Sequence, residues 1–314
     1  MMCAWKQLLS VLPPRLRPEV DRLGKNALQE LRLRLGMPPE LVLSGESRWL
    51  GCCVSREDLN YCINAASRYS PWAAATTAQG YLTAPGGHRI GLCGEVVCKE
   101  GIVTGIREIS SLCIRVARDF PGIAKRAADA PGSILILGAP GWGKTTLLRD
   151  LIRQVSDGWR AAGDREDSRW MQPMTVGVVD ERSEIGACFQ GVPQNDLGSH
   201  TDILDCCPKA QGMMMLIRSM SPQVVAVDEV GSREDLEALE YVMNCGCRVM
   251  ATVHGTSLAD VRTKPVLGKM VEESWFDRYI LLGSQGRAGH VESICDSRGN
   301  VLYKKNSGEA GREI

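Results

Sequence analysis

The chain is short of several things, and each shortage narrows what it can be. Charge of either sign is not in excess: 314 residues carry 37 basic and 37 acidic side chains. A protein that coats nucleic acid needs a positive excess to neutralise phosphates, so neutrality argues against that class without excluding a local basic patch. Long apolar runs are missing too. Stretches such as Ser133–Leu137 and Val224–Val227 are strand-sized, far below the ~20 residues of a membrane-spanning helix. The opening MMCAWKQLLSVLPPRLRPEV has no sustained apolar stretch and no small-residue cleavage site, which predicts no secretory signal. Aromatic residues make up 5% of the chain, and histidine occurs four times, at His88, His200, His254 and His290. The thirteen cysteines include close groups such as Cys52-Cys53, Cys206-Cys207 and Cys245 with Cys247. None has the two-residue spacing of a zinc or redox motif. They read as small buried hydrophobes in a reducing cytosol.

What is present describes an ordinary globular chain, 44% hydrophobic and 24% charged, with enough apolar material for a real core. The length suggests about two domains. Before residue 120 there are 15 basic and 11 acidic residues, and after it 22 and 26, so the front is mildly basic and the rear mildly acidic.

The front region reads as α+β. Two short helices are expected over 1–28, a half-exposed strand over Glu30–Leu35 and its partner at Leu41–Leu43. A helix begins at Ser55, with Asp58 three residues on, close to a capping box. A second is expected over Pro71–Ala78. Strand-like pieces follow at Gly80–Leu82, Arg89–Val97, Val103–Ile106 and Ser111–Val116. Phe120-Pro121-Gly122 marks a joint, and a short helix is expected at Ile123–Ala130. From Pro131-Gly132 onward, short apolar strands alternate with amphipathic helices, which predicts a parallel sheet covered on both faces. Asp157–Gln172 reads as a charged surface insertion, and a long loop is expected after Thr175–Asp180. The domain reading is an α+β N-terminal domain over 1–120, a linker or hinge over 121–132, an α/β domain over 133–303 and a polar tail over 304–314.

The strongest motif is Gly138-Ala139-Pro140-Gly141-Trp142-Gly143-Lys144-Thr145, which satisfies G-x-x-x-x-G-K-[ST] between an apolar strand and a helix. Glycines allow a loop whose N–H groups converge on phosphate oxygens. The following helix points its positive end there. Lys144 adds a cation for the β- and γ-phosphates of ATP, and Thr145 a hydroxyl for Mg²⁺. Thr146 joins these residues as a candidate for nucleotide binding.

Val224–Val227 is a buried strand that ends in Asp228-Glu229. Asp228 suits Mg²⁺ through its water shell, and Glu229 suits polarising an attacking water. About 80 residues separate the two motifs, room for an intervening strand and helix, as in RecA-like P-loop NTPases. A third acidic group, Asp180-Glu181-Arg182-Ser183-Glu184, ends another strand, where open parallel sheets bind ligands; a surface turn is the alternative. Thr252 and His254 end a fourth strand, where they are placed to sense the γ-phosphate. A structural histidine is the alternative there.

Together these residues carry a resemblance. DERSEIGACFQGVPQNDLGSHTDILDCCPKAQGMMMLIRSMSPQVVAVDEVG at 180–231 resembles the stage III sporulation protein AA family of endospore-forming bacteria. GAPGWGKTTLLRD at 138–150, ATVHG at 251–255, ELRLRLGMPPEL at 30–41 and HRIGLCGE at 88–95 agree with it. The likeness covers nearly the whole chain. The P-loop alone is unspecific; the 180–231 run is highly specific.

That family is similar to the type II and type IV secretion ATPases. The resemblance implies a RecA-like P-loop domain preceded by a smaller α+β domain, and six subunits in a homohexameric ring. It also implies a motor for a channel complex between mother cell and forespore. Such a motor works from the mother-cell cytoplasm and is held at the membrane by integral membrane proteins. It assigns Asp180, Glu181 and Glu184 to the acidic "Asp box" and His254 to the "His box". Secretion ATPases usually carry Gly-Glu at the second carboxylate motif, where this chain has Asp228-Glu229-Val230-Gly231, with Arg233 later. The water-activating role therefore stays open among Glu229, Glu181 and Glu184. Ring ATPases complete the site with arginines from a neighbour or from the front domain, and the candidates are Arg107, Arg115 and Arg118. His88-Arg89 is a further polar pair.

The leading expectation is a mechanochemical ATPase. A nucleic-acid-dependent RecA-like ATPase is the alternative, and it calls for a basic, aromatic-studded groove. The charge balance and the 5% aromatic content weigh against that, leaving nucleic acid an unexpected partner. A nucleotide-bound scaffold without turnover is the third reading, and the presence of Lys144 and Glu229 weighs against it.

Overall fold

The computed structural model describes residues 2–68, 80–125, 127, 132–160, 170–284 and 289–305. The helix expected over 71–78 lies outside them, as do most of the 157–172 insertion and the end of the tail. The chain divides into two compact units, one of residues 1–119 with 187–195, the other of 120–186 with 196–314.

The first unit begins with helices α1 (Trp5–Val11) and α2 (Arg17–Leu23). Strands β1 (Glu30–Arg34), β2 (Glu40–Val42) and β3 (Ser47–Trp49) follow, then helix α3 (Arg56–Ser67). Strands β4 (Tyr81–Thr83), β5 (Arg89–Lys99) and β6 (Ile102–Arg115) complete an antiparallel sheet of order β3-β2-β1-β6-β5-β4. The alternation in Glu30–Arg34 puts Leu31 and Leu33 inward, against Leu8 and Val11 of α1 and Leu59 and Cys62 of α3. Helix α3 starts on a full capping box: the Asp58 amide donates to Ser55 Oγ at 3.2 Å, and the Ser55 amide to Asp58 Oδ2 at 2.7 Å. The strands expected at 103–106 and 111–116 are one continuous β6. A register shift absorbs the intervening residues near Cys93 and Glu95 of the partner strand, with Glu108 at φ 45°. Residues 187–195 group with this unit: Gln194 Oε1 accepts the Gly86 amide at 2.9 Å, and Arg68 lies over the Phe189 ring.

The second unit opens on strand β7 (Ile134–Gly138) and helix α4 (Lys144–Asp157). The short pair β8 (Trp159–Arg160) and β9 (Trp170–Met171) precedes β10 (Val176–Asp180) and β11 (Thr201–Asp205). Then come α5 (Lys209–Ser219), β12 (Val224–Val227), α6 (Arg233–Asn244) and β13 (Arg248–His254). Helices α7 (Leu258–Arg262) and α8 (Gly268–Glu272) lead to β14 (Arg278–Leu282), β15 (Val291–Asp296) and β16 (Val301–Lys304).

The sheet order is β11-β10-β12-β13-β7-β14-β15-β16. Its first six strands run parallel, and the last two are antiparallel. Successive residues of β7 serve opposite faces. Ile134 and Ile136 pack with Leu147, Leu148 and Leu151 of α4. Leu135 and Leu137 pack in the core on α5, α6 and α8, with Leu216, Leu239 and Met270. Two-sided burial is why these strands read as unbroken apolar runs. Strand β11, polar at Thr201, Asp202 and Asp205, occupies an edge where the reading placed only loop. Among the described residues no helix is long and apolar enough to cross a membrane.

Candidate nucleotide site

The sheet order builds the site. Strand β13 lies between β7 and β12 and runs parallel to both, with His254 opposite Gly138 and Ala251 opposite Val227. The ends of β7, β13 and β12 therefore present the P-loop, Thr252 with His254, and Asp228 with Glu229 side by side. Gly141 and Gly143 have φ of 80° and 85°, in the left-handed region where glycine is favoured, and Gly143 caps α4.

Lys144 is 5% exposed. Its ammonium donates to the Ala139 carbonyl at 3.1 Å and to His254 Nδ1 at 3.0 Å. Burial pushes its pKa down, against the nearby charges of Asp228 and Glu229. His254 Nε2 is 3.2 Å from Glu229 Oε1, and Arg182 Nη1 is 2.8 Å from Glu229 Oε2. Lys144, His254, Glu229 and Arg182 thus form one polar chain.

Thr145 Oγ1 donates to Asp228 Oδ2 at 2.5 Å. Thr252 Oγ1 donates to Asp228 Oδ1 and accepts the Glu229 amide at 2.8 Å. Glu229 itself has φ 52°, a conformation that L-residues keep only when their surroundings enforce it. The donor set fits Mg²⁺ with a nucleotide. A hydroxyl and a carboxylate are adjacent, and Mg²⁺ takes the rest of its octahedron from phosphates and waters.

Asp180 is 2% exposed. Its carboxylate accepts the amides of Glu184, Ile185 and Gly186, each at 2.8 Å. Arg149 of α4 holds the same loop from its carbonyls, bonding Ile185 O at 2.9 Å and Glu184 O at 2.8 Å. Asp180 therefore acts as a clamp on residues 184–186. Glu181 pairs with Lys209 at 2.7 Å. Trp142 O accepts the Gly289 amide at 2.8 Å.

The arginines read as candidates lie in the first unit. Arg107 pairs with Glu95 at 2.6 Å and Arg115 with Glu30 at 3.4 Å. Arg118 Nη2 bonds the carbonyls of Lys25 at 3.2 Å and Leu28 at 2.5 Å. His88 is buried, its Nδ1 accepting the Ala117 amide at 3.1 Å and its Nε2 lying 3.0 Å from Ala4 O. Arg89 stacks on Tyr81.

The sequence reading did not single out Arg149, Arg182 or Lys209. None of the three carried a signal, because their partners lie on other loops, strands and helices.

The family described as "Sporulation stage III, protein AA" matches residues 5–302. The chain belongs to this sporulation stage III protein AA family. Stage III sporulation protein AA of Bacillus subtilis is 39% identical over 307 residues, spanning 95% of this chain and 97% of that protein. Among solved structures, the pilus retraction motor PilT with bound ADP superposes with a TM-score of 0.59 at 13% identity, covering 93% of this chain and 83% of that one. The ATPase DotB of Legionella pneumophila gives 0.53 at 19%, covering 84% and 74%. These likenesses carry the fold: a RecA-like P-loop unit with an N-terminal α+β unit, as expected for the family.

Proposed function

We propose that this family member is an ATP-hydrolysing motor, a Mg²⁺-dependent ATPase of a secretion-like channel complex between mother cell and forespore. Six subunits form a ring on the mother-cell side of the forespore membrane, in the cytoplasm, docked through an integral membrane protein. The observation that carries the reading is the polar chain from Lys144 through His254 to Glu229, beside the Thr145–Asp228 oxygen pair.

In this reading the loop from Gly138 to Thr146 cradles the phosphates, and Lys144 neutralises the β- and γ-oxygens. Thr145 and Asp228 would hold Mg²⁺. When bound, the ion supplies Lewis-acid neutralisation of charge on the transferred group. Glu229 polarises the attacking water, and His254 orients Glu229. Glu181 is held to Lys209 and Glu184 lies in the clamped loop, which supports Glu229 as the water-activating carboxylate. Asp180 positions the loop and does not touch substrate. Of the three arginines offered for a subunit boundary, Arg107 and Arg115 suit the role better than Arg118. The side chain of each is 66% exposed, whereas Arg118 is engaged with backbone carbonyls. The stretch 121–132 serves as the hinge between the first unit, which includes residues 187–195, and the second.

Phosphate release by the wild type, Lys144→Ala and Glu229→Gln tests the assignment. Turnover should vanish in the first variant, and the second should retain ATP while hydrolysing it slowly. Unchanged turnover in Lys144→Ala removes the P-loop assignment. Sedimentation with ATP tests the ring, which a monomer at every concentration would refute.

A further inference from the structure

Arg182 has a place that neither the motif pattern nor the mechanism above uses. Asp180, clamped on three amides, and Ser183, at φ 53°, shape the turn between them that carries Arg182. From the end of β10 the guanidinium reaches Glu229 at the end of β12, two residues beyond the strand, with Nη1 to Oε2 at 2.8 Å. Both Glu229 oxygens are thereby engaged, one by Arg182 and the other by His254. On the far side of His254 stands Lys144, the lysine that would meet a terminal phosphate.

We propose that Arg182 senses the terminal phosphate of a bound nucleoside triphosphate. Its guanidinium latches Glu229, then exchanges that carboxylate for the γ-phosphate and leaves Glu229 free to act on water. The proposal rests on the ATPase reading of the site and adds a regulation to it.

The energetics favour an exchange. The Arg182 side chain is 63% exposed and Glu229 30%, so their ion pair is of the screened surface kind, typically about 0–1 kcal/mol. A γ-phosphate carries more charge and three oxygens, and a guanidinium grips such a group bidentately. The stronger acceptor takes the arginine. His254 keeps its hold on the other Glu229 oxygen and orients it, so the carboxylate is released on the Arg182 side alone, and only when a third phosphate is present. A diphosphate, held by the P-loop, gives Arg182 nothing to exchange for.

The test is calorimetric titration of the full chain with Mg·ADP and with the β,γ-imido analogue of ATP. Arg182→Ala should bind the ATP analogue about tenfold or more weakly, as expected for loss of a hydrogen bond to a charged group. Its ADP affinity should stay near wild type. Arg182→Lys should fall between, because it keeps the charge and loses the fork. Affinities for both nucleotides that fall in parallel, or do not fall, overturn the sensor. Arg182→Gln gives a second reading of the same ratio should the alanine variant fold poorly. Lys144→Ala is the control: if it loses both nucleotides while Arg182→Ala changes neither, only the sensor fails. If Lys144→Ala binds both as the wild type does, the site reading itself fails.

Discussion

Lys144 Nζ lies 3.0 Å from His254 Nδ1, and this contact decides where the imidazole carries its proton. An ammonium has donors and no acceptor, so Nδ1 must accept. The ring proton is then on Nε2, which faces Glu229 Oε1 at 3.2 Å. The P-loop lysine thus orients the proposed water-activating carboxylate through one histidine. Replacing His254 by alanine should lower turnover by about a hundredfold, the order expected when a reacting group loses its positioning. ADP binding should stay close to wild type. Steady-state phosphate release with an ADP titration checks both, and an unaltered turnover number would sink the orienting role.

Thr252 makes a second test of preorganisation. It is fully buried, and its hydroxyl both donates to Asp228 Oδ1 and receives the Glu229 amide at 2.8 Å. Valine has nearly the same shape and can do neither. Thr252→Val should destabilise the fold by about 1–3 kcal/mol, because polar groups of Asp228 and Glu229 lose a buried partner. It should also reduce turnover. Thr252→Ser keeps the hydroxyl and should restore most of both. Urea denaturation beside the activity assay reads the two effects, and equal behaviour of valine and serine would refute the account.

What could be read in advance follows from how local each signal is. The P-loop is contiguous and sits in a strand–turn–helix, so its residues, loop and helix were all legible. The same holds for the Ser55–Asp58 capping box, which is complete within four residues. The alternation Glu30–Arg34 and the apolar runs of β7 and β12 gave the two sheets. Pairing between strands was not legible. Nothing in Arg248–His254 says that this strand runs between β7 and β12, and that is what brings Thr252 to Asp228 and His254 to Lys144. Strand β11 is half polar because it lies at an edge, so period and composition both hid it. Residues 187–195 sit between two segments of the second unit in sequence, yet group with the first. The acids of Asp180–Glu184 looked equivalent in the sequence. The structure separates them, since Asp180 alone meets three backbone amides.

Gly212 sets helix propensity against packing. In an open helix, glycine to alanine gains about 1 kcal/mol. Gly212 lies inside α5, where a Cβ would come 2.5 Å from Val179 Cγ1 and 3.1 Å from Cys207 Sγ. Val179 is 1% exposed and on a central strand, so its branched side chain has little room to yield. Overpacking of this kind typically costs about 1–3 kcal/mol, which outweighs the propensity gain. Gly212→Ala should therefore lower the denaturation midpoint. A rise in the midpoint would mean that α5 moves off β10 freely.

Asp180 predicts a pH dependence of defined sign. Burial is the main cause that raises its pKa from 3.8 to about 6; the charge of Asp205 adds to it, and the three backbone amides oppose it. The folded protein therefore holds this proton more tightly than the unfolded chain does. Across the window from 3.8 to about 6, stability falls as pH rises, and above it the deficit is constant. A shift of about two units corresponds to roughly 3 kcal/mol. Paired carboxylates such as Asp58, whose pKa is lowered chiefly by its Arg15 bond, act with the opposite sign and mask the effect in wild type alone. The difference between wild type and Asp180→Asn isolates it. Asparagine does not titrate, and its amide nitrogen faces donors where Asp180 offers acceptors, so it should be the less stable form. Its disadvantage should be largest near pH 4, shrink toward pH 6 and then level off. Urea denaturation of both proteins across this range measures the difference. A flat difference, or one that grows with pH, would refute the upward shift and show that the three amides match or outweigh burial.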